Sequence, residues 1–210
     1  KKNLELIKKN LSLRSRSSYS ENIANQDVLK VKSSLKEIGY YFSTVELIVE
    51  ELSDNQVNLT YKIDLGNKAK IKRIKFIGDK KYKDSKLKNI IISEEYKFWK
   101  FISGKKYLNE QIIKFDKRLL KNFYLNKGYY DVNVNSSFAK LLDTDEFEII
   151  YNINANNKFY FNNLKLDLPS DFNSENFVGI EKLFQNLKDE PYSINSVRDI
   201  IEEIELVVLN

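Results

Sequence analysis

The sequence predicts an α+β protein made of tandem small modules, each with the order strand, helix, helix, strand, strand and a three-stranded mixed sheet covered by two helices. The main observation is an internal repeat: residues 114–158 repeat, 89 positions later, the pattern of residues 27–68. Both copies contain a helix, a Gly-Tyr-Tyr segment and two alternating apolar runs, and the aligned pairs include Asp27 with Asp116, Gly39 with Gly128, and Val45 with Val134. Self-similarity over about 90 residues is typical of a string of small domains and not of one large catalytic domain.

The middle module is predicted to be complete, at residues 66–155. Its long helix, at residues 109–127, has apolar residues three and four positions apart, which predicts one buried face. These residues are Leu108, Ile112, Phe115, Leu119 and Phe123. Gly128 follows the helix, and glycine readily ends a helix in the left-handed conformation. The other predicted elements are a strand at 71–77, a short helix capped by Asp84 or Ser85, an irregular aromatic stretch at 93–106, strands at 131–139 and 147–154, and a hairpin turn at 143–145.

The flanking modules are predicted to be partial. The first, residues 1–65, lacks its opening strand, and the third, residues 156–210, lacks its last two strands. Their predicted elements are helices at 1–10 and 22–38 with strands at 41–51 and 57–64, then a strand at 162–168 with helices at 174–188 and 194–209. The joints, at 65–67 and 155–157, are so short that we expect hinge bending between otherwise independent modules. Because the chain contains no methionine, we expect it to be a piece of a longer protein.

Composition excludes several kinds of chemistry. The 210 residues contain no cysteine and no histidine, which excludes thiolate and imidazole chemistry and the metal sites that depend on those ligands. Glu94 and Glu95 lack an accompanying base or phosphate loop, and Asp143 and Asp145 lack the spacing of a calcium loop. Apolar runs are far shorter than the roughly 20 residues that cross a bilayer. We therefore expect a protein that is not an enzyme and that needs no metal and no cofactor.

The net charge of +5 raises the alternative of nucleic-acid binding. The lysines are interleaved with acidic residues, however, and this pattern is typical of a solvated surface. The KH fold, an RNA-binding fold with a similar order of elements, needs a Gly-x-x-Gly loop. No two of the six glycines are three positions apart; they are Gly39, Gly66, Gly78, Gly104, Gly128 and Gly179. We therefore expect no nucleic-acid partner.

Several short segments together resemble one known module. The segments are IKRIKFIGD at residues 71–79, IDLGNK at residues 63–68, Gly-Tyr-Tyr at residues 128–130, and the helix positions Tyr107, Asp116, Leu119-Leu120 and Phe123-Tyr124-Leu125. They resemble POTRA domains, the polypeptide-transport-associated modules that precede the barrel in Omp85-family proteins. The resemblance implies the rest of the second module of that series, all of the third and the start of the fourth. Asn156 departs from it, because an acidic residue and glycine are expected there, but asparagine tolerates the positive φ of such a turn.

The resemblance implies a receptor and scaffold in the periplasm, in a protein anchored in the outer membrane. Its partners would be unfolded outer-membrane proteins, accessory assembly lipoproteins and the C-terminal membrane barrel of the same full-length chain, and we expect the isolated chain to be monomeric. Two alternatives remain open. The chain could be the POTRA region of a sibling Omp85-type translocation factor, or a passive modular spacer with no receptive sheet edge.

The predicted working surface is the strand after Gly128. The resemblance places the last strand of each module in the middle of the sheet, which leaves the preceding strand at the edge. The candidate partner-binding residues are Asp131, Val132, Asn133, Val134, Asn135, Ser136, Ser137 and Phe138. They include no proline and no lysine, the usual guards against strand pairing, so an extended client could add itself there by β-augmentation.

Aromatic residues supply further candidates. Trp99, in the aromatic insertion that is similar to that of the third POTRA module, is either an exposed anchor or a cover over the edge of the core. For Tyr129 and Tyr130, a place in the core where helix meets sheet is favoured over a ligand contact.

Overall fold

The computed structural model describes residues 2–99, 104–141 and 145–209 and confirms the α+β class. In chain order, its elements are α1 (Lys2–Asn10), α2 (Glu21–Glu37), β1 (Thr44–Glu51), β2 (Val57–Asp64), β3 (Lys70–Asp79), α3 (Asp84–Lys88), a 3-10 turn (Gly104–Lys106), α4 (Glu110–Leu125), β4 (Asn133–Lys140), β5 (Glu146–Asn154), a 3-10 turn (Ser174–Phe177), α5 (Val178–Leu187) and α6 (Ile194–Leu209). Part of the aromatic stretch and part of the 143–145 turn lie outside the described residues.

The strands form two sheets. β1 and β2 are an antiparallel pair, in register from Thr44 opposite Asp64 to Glu51 opposite Val57. The other sheet has the order β3-β5-β4. Where β3 and β5 begin, the N–H of Lys70 donates to the carbonyl of Asp145 at 2.8 Å. Where they end, the N–H of Ala155 donates to the carbonyl of Asp79, so the two strands are parallel. Because β4 and β5 form a hairpin, the sheet is mixed and three-stranded, as the sequence predicts.

Two compact units make up the chain. One consists of Lys1–Ile74, Ile92–Lys114 and Phe138–Ile149, and the other of Lys75–Ile91, Phe115–Ser137 and Ile150–Asn210. The boundaries between the units cross β3, α4, β4 and β5. Both predicted joints, at residues 65–67 and 155–157, lie inside a unit.

In the first unit, α1 and α2 bury one face of the β1-β2 sheet. The buried core is Ile7, Val31, Leu35 and Val45, and the half-buried residues that pack against it are Leu11, Val28, Ile38, Tyr40, Tyr61 and Ile63. Positions 24, 27, 28, 31 and 35 of α2 recur three and four residues apart, which places them on one helix face.

That helix face includes a buried carboxylate, Asp27, which is fully buried. It accepts hydrogen bonds from the backbone N–H groups of Ser12 (2.8 Å) and Leu13 (2.9 Å), and the ammonium of Lys30 lies 2.9 Å away. Burial by itself raises the pKa of the Asp27 carboxyl. The two backbone donors and Lys30 outweigh that effect and hold the pKa of the carboxyl below its usual range, so the charged form is stabilised in place.

The same position recurs in the repeat. Asp116 is also fully buried, and it accepts a hydrogen bond of 2.8 Å from the hydroxyl of Tyr151. Tyr61 is the equivalent of Tyr151 in the first copy, yet its buried hydroxyl makes no hydrogen bond to any described residue. The two copies therefore share a buried aspartate and differ in whether the tyrosine reaches it.

The predicted buried face of α4 is wrong by one residue. The helix buries Ile113, Asp116, Leu120 and Tyr124, while Ile112, Leu119 and Phe123 are half-buried and Phe115 is 39% exposed. Positions 112–113, 119–120 and 123–124 are all apolar pairs, so the pattern supports two neighbouring stripes equally well. The two stripes differ in polarity only at positions 115 and 116, where one has phenylalanine and the other aspartate. Hydrophobicity alone therefore favours the stripe that contains Phe115. The helix turns the aspartate inward because a buried tyrosine hydroxyl satisfies it.

The strand expected at residues 162–168 does not form. Leu164, Leu166 and Leu168 are half-buried and alternate with exposed residues, so the sequence has the period of a strand. A strand also needs a hydrogen-bonded neighbour, and around this segment the described residues supply only an isolated bridge between Tyr160 and Pro191. The segment therefore forms no strand with the described residues.

Smaller differences occur at the ends of elements. β1 begins at Thr44 instead of residue 41, and β4 at Asn133 instead of residue 131. α3 begins at Asp84, with Lys83 at its N-cap and no capping side chain, so neither Asp84 nor Ser85 is the cap. α4 ends at Leu125, and Gly128 follows with a φ of 95°.

Candidate partner-binding edge

β4 lies at an edge of its sheet, because β5 is the central strand. An edge strand has a neighbour on one side only and leaves a row of backbone groups unpaired on the other. In the hairpin, the N–H of Leu141 donates to the carbonyl of Glu146 at 2.8 Å. This bond fixes which residues of β4 use their backbone groups to bond β5, because bonded and unbonded pairs alternate along an antiparallel ladder.

Counting back from Leu141, the backbone groups of Asn133, Asn135, Ser137 and Ala139 are directed toward β5. Those of Val134, Ser136, Phe138 and Lys140 are directed away from it, toward the open edge. The sequence alone does not distinguish among the residues of this strand. The alternation shows that only every second residue offers an N–H and a carbonyl to an added strand.

The side chains of β4 carry no charge before its last residue. Val134, Ser136 and Phe138 are half-buried, and Asn133, Asn135 and Ser137 are exposed. The single cation is Lys140, whose ammonium lies 4.6 Å from the centre of the Phe42 ring. From Asn133 to Ala139 this edge therefore presents no proline and no charged side chain to an incoming chain.

Two of the predicted site residues do not belong to the strand. Asp131 lies in a turn, where its carbonyl accepts a 2.8 Å hydrogen bond from the side-chain amide of Asn156. Val132 is 5% exposed and faces the core. These two residues close the end of the helix-to-strand turn, so the candidate edge is shorter than predicted and begins at Asn133.

The structure places Trp99 on the surface. Trp99 is 58% exposed and Phe98 is 72% exposed, and their rings meet edge to face with centroids 4.7 Å apart. The ammonium of Lys97 lies 5.7 Å from the Trp99 ring. Trp99 therefore does not cover the core. Its ring contacts are with its sequence neighbours, and none among the described residues joins it to β4.

The two tyrosines after Gly128 have different environments. Tyr129 is half-buried and packs edge to face on Tyr124 and Tyr82, so its predicted place in the core is confirmed. Tyr130 is 56% exposed, and its ring contacts Phe159 and Tyr192 instead, so the core prediction is wrong for this residue.

A second candidate edge was missed by the sequence analysis. Among the described strands, β1 pairs only with β2, and the repeat aligns Val45 of β1 with Val134 of β4. The alignment of the two copies therefore already indicated that β1, like β4, lies at a sheet edge. The β1 edge differs in charge, because it carries Glu46, Glu50 and Glu51. It is thus less suited than β4 to receive chains of varied sequence.

Neither a metal-binding cluster nor a membrane-spanning helix is found in the described part of the chain. No group of three or more acidic residues is arranged to hold a metal ion within residues 2–99, 104–141 and 145–209. Over the same ranges, no helix combines the length and the apolar character that crossing a bilayer requires.

Comparison with known proteins identifies the family. The POTRA family model, described as surface antigen variable number repeat, matches residues 3–66 and again residues 69–156. The chain belongs to the POTRA family. The two matched POTRA segments follow the internal repeat that the sequence revealed.

Curated relatives and a solved structure agree with this assignment. The outer membrane protein assembly factor BamA of Buchnera aphidicola subsp. Acyrthosiphon pisum is 24% identical over 201 residues, which cover 93% of this chain and 31% of the relative. BamA of Neisseria meningitidis serogroup B is 25% identical over 205 residues, covering 96% of this chain and 26% of the relative. The crystal structure of Haemophilus influenzae BamA POTRA3-5 has a TM-score of 0.55 and 12% identity, covering 96% of this chain and 78% of that one.

These matches confirm that, within the Omp85 family, this chain resembles the POTRA region of BamA. The POTRA-like motifs of its sequence agree with that resemblance. The chain spans about a quarter to a third of the length of those two relatives. The structural likeness supports the fold, and the numbering of the modules as second, third and fourth stays a prediction.

Proposed function

We propose that this chain is the periplasmic receptor and scaffold region of an outer-membrane β-barrel assembly factor. In this proposal it consists of three POTRA modules, at residues 1–65, 66–155 and 156–210. The relatives' name, outer membrane protein assembly factor, supports the assignment of process and location. The observation that carries the receptor role is the uncharged, unpaired edge of β4, from Asn133 to Phe138.

An extended client would bind as an additional strand beside β4. Val134, Ser136 and Phe138 would each exchange an N–H and a carbonyl hydrogen bond with it, six bonds in all for a fully paired client. A hydrogen bond contributes about 0.5–1.5 kcal/mol net, and ordering the client backbone costs a comparable amount per residue. Binding would therefore be weak and reversible, which suits a receptor that must pass its client onward.

Main-chain recognition also explains how one edge could bind clients of many different sequences. All outer-membrane barrel proteins share an alternating strand pattern, while their sequences differ. Because hydrogen bonds to the backbone do not depend on side-chain identity, one edge can receive many clients. Half-buried Val134 and Phe138 would favour apolar residues on the facing side of the client strand.

The remaining partners follow from the same proposal. Accessory assembly lipoproteins would bind these modules, and the membrane barrel of the full-length chain would receive the clients. Nothing in the proposal requires catalysis, a cofactor or nucleic acid, and the isolated chain would be monomeric. A sibling translocation factor would use the same edge on other clients, whereas a passive spacer would use none.

A proline scan of β4 tests the receptor role. The probe is a ten-residue peptide with the alternating sequence of an outer-membrane barrel strand, and its binding is followed by fluorescence anisotropy. Val134→Pro and Ser136→Pro each remove one N–H directed to the open edge, and we expect each to weaken peptide binding several-fold. Asn135→Thr changes an exposed side chain but no backbone group, so binding should be unchanged.

Thermal unfolding of each variant serves as the control for folding. Asn135→Pro removes an N–H directed to β5, so it should lower the melting temperature more than either edge variant does. Unaltered peptide binding by both folded edge variants would eliminate this edge as the receptor and leave the passive spacer.

A further inference from the structure

The outer surface of α4 is locally basic. Residues 115–122 contain three cations, Lys117, Arg118 and Lys121, of which Lys117 is half-buried and the other two are exposed. The one acid in this stretch is Asp116, and it is fully buried. All of these residues lie in the same compact unit. The three cations form a surface that we call the α4 basic face.

The cations of the α4 basic face have no acidic partner in the described part of the chain. None of the three forms an ion pair or a side-chain hydrogen bond with any described residue. Elsewhere in the same unit lysines are paired, since the ammonium of Lys80 bonds Asp84 and that of Lys81 lies 2.7 Å from Asp79. The α4 basic face therefore keeps its charge available to an anionic partner.

Arg118 is positioned by an aromatic ring. Its guanidinium lies 5.1 Å from the centre of the Phe115 ring, one helical turn earlier. Stacking uses the flat face of a guanidinium and leaves the N–H groups at its edge free to bind a carboxylate. Because Phe115 is itself 39% exposed, an apolar group can contact the ring beside that carboxylate. The pair thus offers an ionic and an apolar contact at adjacent points.

The spacing of the cations fits a helical partner. Lys121 follows Lys117 by four residues and Arg118 by three, which separates them by about 6 and 4.5 Å along the helix axis. Carboxylates one turn apart on a second helix have the same separation, so each can meet one cation. An apolar residue beside those carboxylates would complete the contact with Phe115.

Other anionic ligands fit the α4 basic face less well. Lipid surfaces are typically bound through clusters of roughly four to eight cations, and duplex-binding proteins contact on the order of 6–10 phosphates. The three cations within residues 117–121 fall short of both. Arg118 also covers one face of the Phe115 ring, which leaves less apolar surface for insertion into a bilayer.

We propose that the α4 basic face is a docking site for an acidic helical segment of a partner protein, with carboxylates one turn apart and an apolar residue beside them. Arg118 and Lys121 would each bind one carboxylate, and Phe115 would contact the apolar residue. This site is independent of β4, because it recognises side-chain charge, whereas a strand added to β4 is recognised through backbone groups. The chain would hold one partner on α4 while β4 stays open to an extended client.

A peptide titration tests the proposal. The probe is an alanine-based helical peptide with glutamates four positions apart and a leucine beside them, and amide NMR of the full chain follows its binding at low salt. We expect the peptide to shift amide signals in α4, and a peptide with glutamine at each glutamate position should bind about tenfold more weakly. Arg118→Glu combined with Lys121→Glu should lower the affinity for the acidic peptide by about tenfold, since two attractions become repulsions.

Lys9→Glu combined with Lys182→Glu is the matched control, because it changes the net charge equally at exposed positions of α1 and α5. It should leave the affinity within about twofold of the original. Phe115→Ala should weaken binding of the peptide with leucine but not of a version with alanine at that position. Circular dichroism establishes that the variants are folded, and Lys121→Glu alone is the milder variant if the double substitution unfolds the chain.

Three results would overturn the proposal. Equal losses of affinity in the two double variants would mean that the peptide responds only to net charge. Phosphatidylglycerol vesicles that bind through Arg118 and Lys121, while the peptide does not bind, would make this face a lipid site. Loss of acidic-peptide binding in folded Val134→Pro would place the peptide on β4, whereas unchanged binding in that variant separates this site from the receptor edge.

Discussion

Replacing Leu120 by alanine should lower the free energy of unfolding by about 2–5 kcal/mol, the range for removing a fully buried leucine side chain. Leu120 is fully buried on the face of α4 that also buries Ile113 and Tyr124. The cost arises from the lost burial of the side chain and from the cavity that close-packed neighbours cannot fill completely. Urea denaturation followed by circular dichroism measures it directly.

Leu119→Ala is the matched control, because it makes the same chemical change one position away on the same helix. Leu119 is half-buried, so its truncation leaves a surface depression that water can enter and should cost clearly less. Equal losses for the two variants, or a larger loss for Leu119→Ala, would mean that α4 presents the other face to the core.

Gly78→Ala should destabilise the chain for a different reason. Gly78 lies in β3 with a φ of +85°, a conformation that side chains other than glycine rarely adopt. A Cβ there would collide with the carbonyl oxygen of Ile153 and lie 2.6 Å from the side-chain oxygen of Asn152. Backbone strain of this kind costs about 1–3 kcal/mol, and the collision with the neighbouring strand adds to it.

Gly179→Ala provides the comparison for that experiment. Gly179 lies in α5, and a Cβ there would meet no atom within 4 Å. Alanine favours helix over glycine by up to about 1 kcal/mol, so stability should stay the same or rise. A melting temperature for Gly78→Ala equal to that of the unsubstituted chain would contradict the close approach of β3 and β5 at this point.

Periodicity and repetition predicted most elements of the fold. β2 and α6 begin and end where expected, at Val57–Asp64 and Ile194–Leu209, since turn residues or a short loop bound each of them. These elements depend on local sequence, which can be read from one chain. The edge position of β4 needed more: a short hairpin makes β4 and β5 neighbours, but only the resemblance to POTRA domains places β5 in the middle of the sheet.

The errors arose where tertiary partners decide the outcome. The buried face of α4 depends on Tyr151, 35 residues away, which satisfies Asp116. The segment at residues 162–168 needs a neighbouring strand that periodicity cannot supply. The repeat did hold one unused clue: an aspartate at the same place in both helices, Asp27 and Asp116, indicates a buried polar position more strongly than either residue does alone.

The contacts of Tyr130 were missed because they involve another module. Within its own module, an aromatic residue after a helix end is well explained as part of the core. Its partners, Phe159 and Tyr192, belong to a segment that sequence analysis treated as a separate body. The aromatic residues that follow the second joint were the available signal.

Amide hydrogen exchange on β4 tests the central claim most directly. In the free chain, the amides of Asn135 and Ser137 should exchange slowly because they bond β5, and those of Val134, Ser136 and Phe138 should exchange quickly because they are directed to the open edge. Saturation with the barrel-strand peptide should slow exchange at Val134, Ser136 and Phe138 together, since an added strand pairs with every second residue. Bound peptide that leaves these three amides exchanging at their original rates would contradict the account.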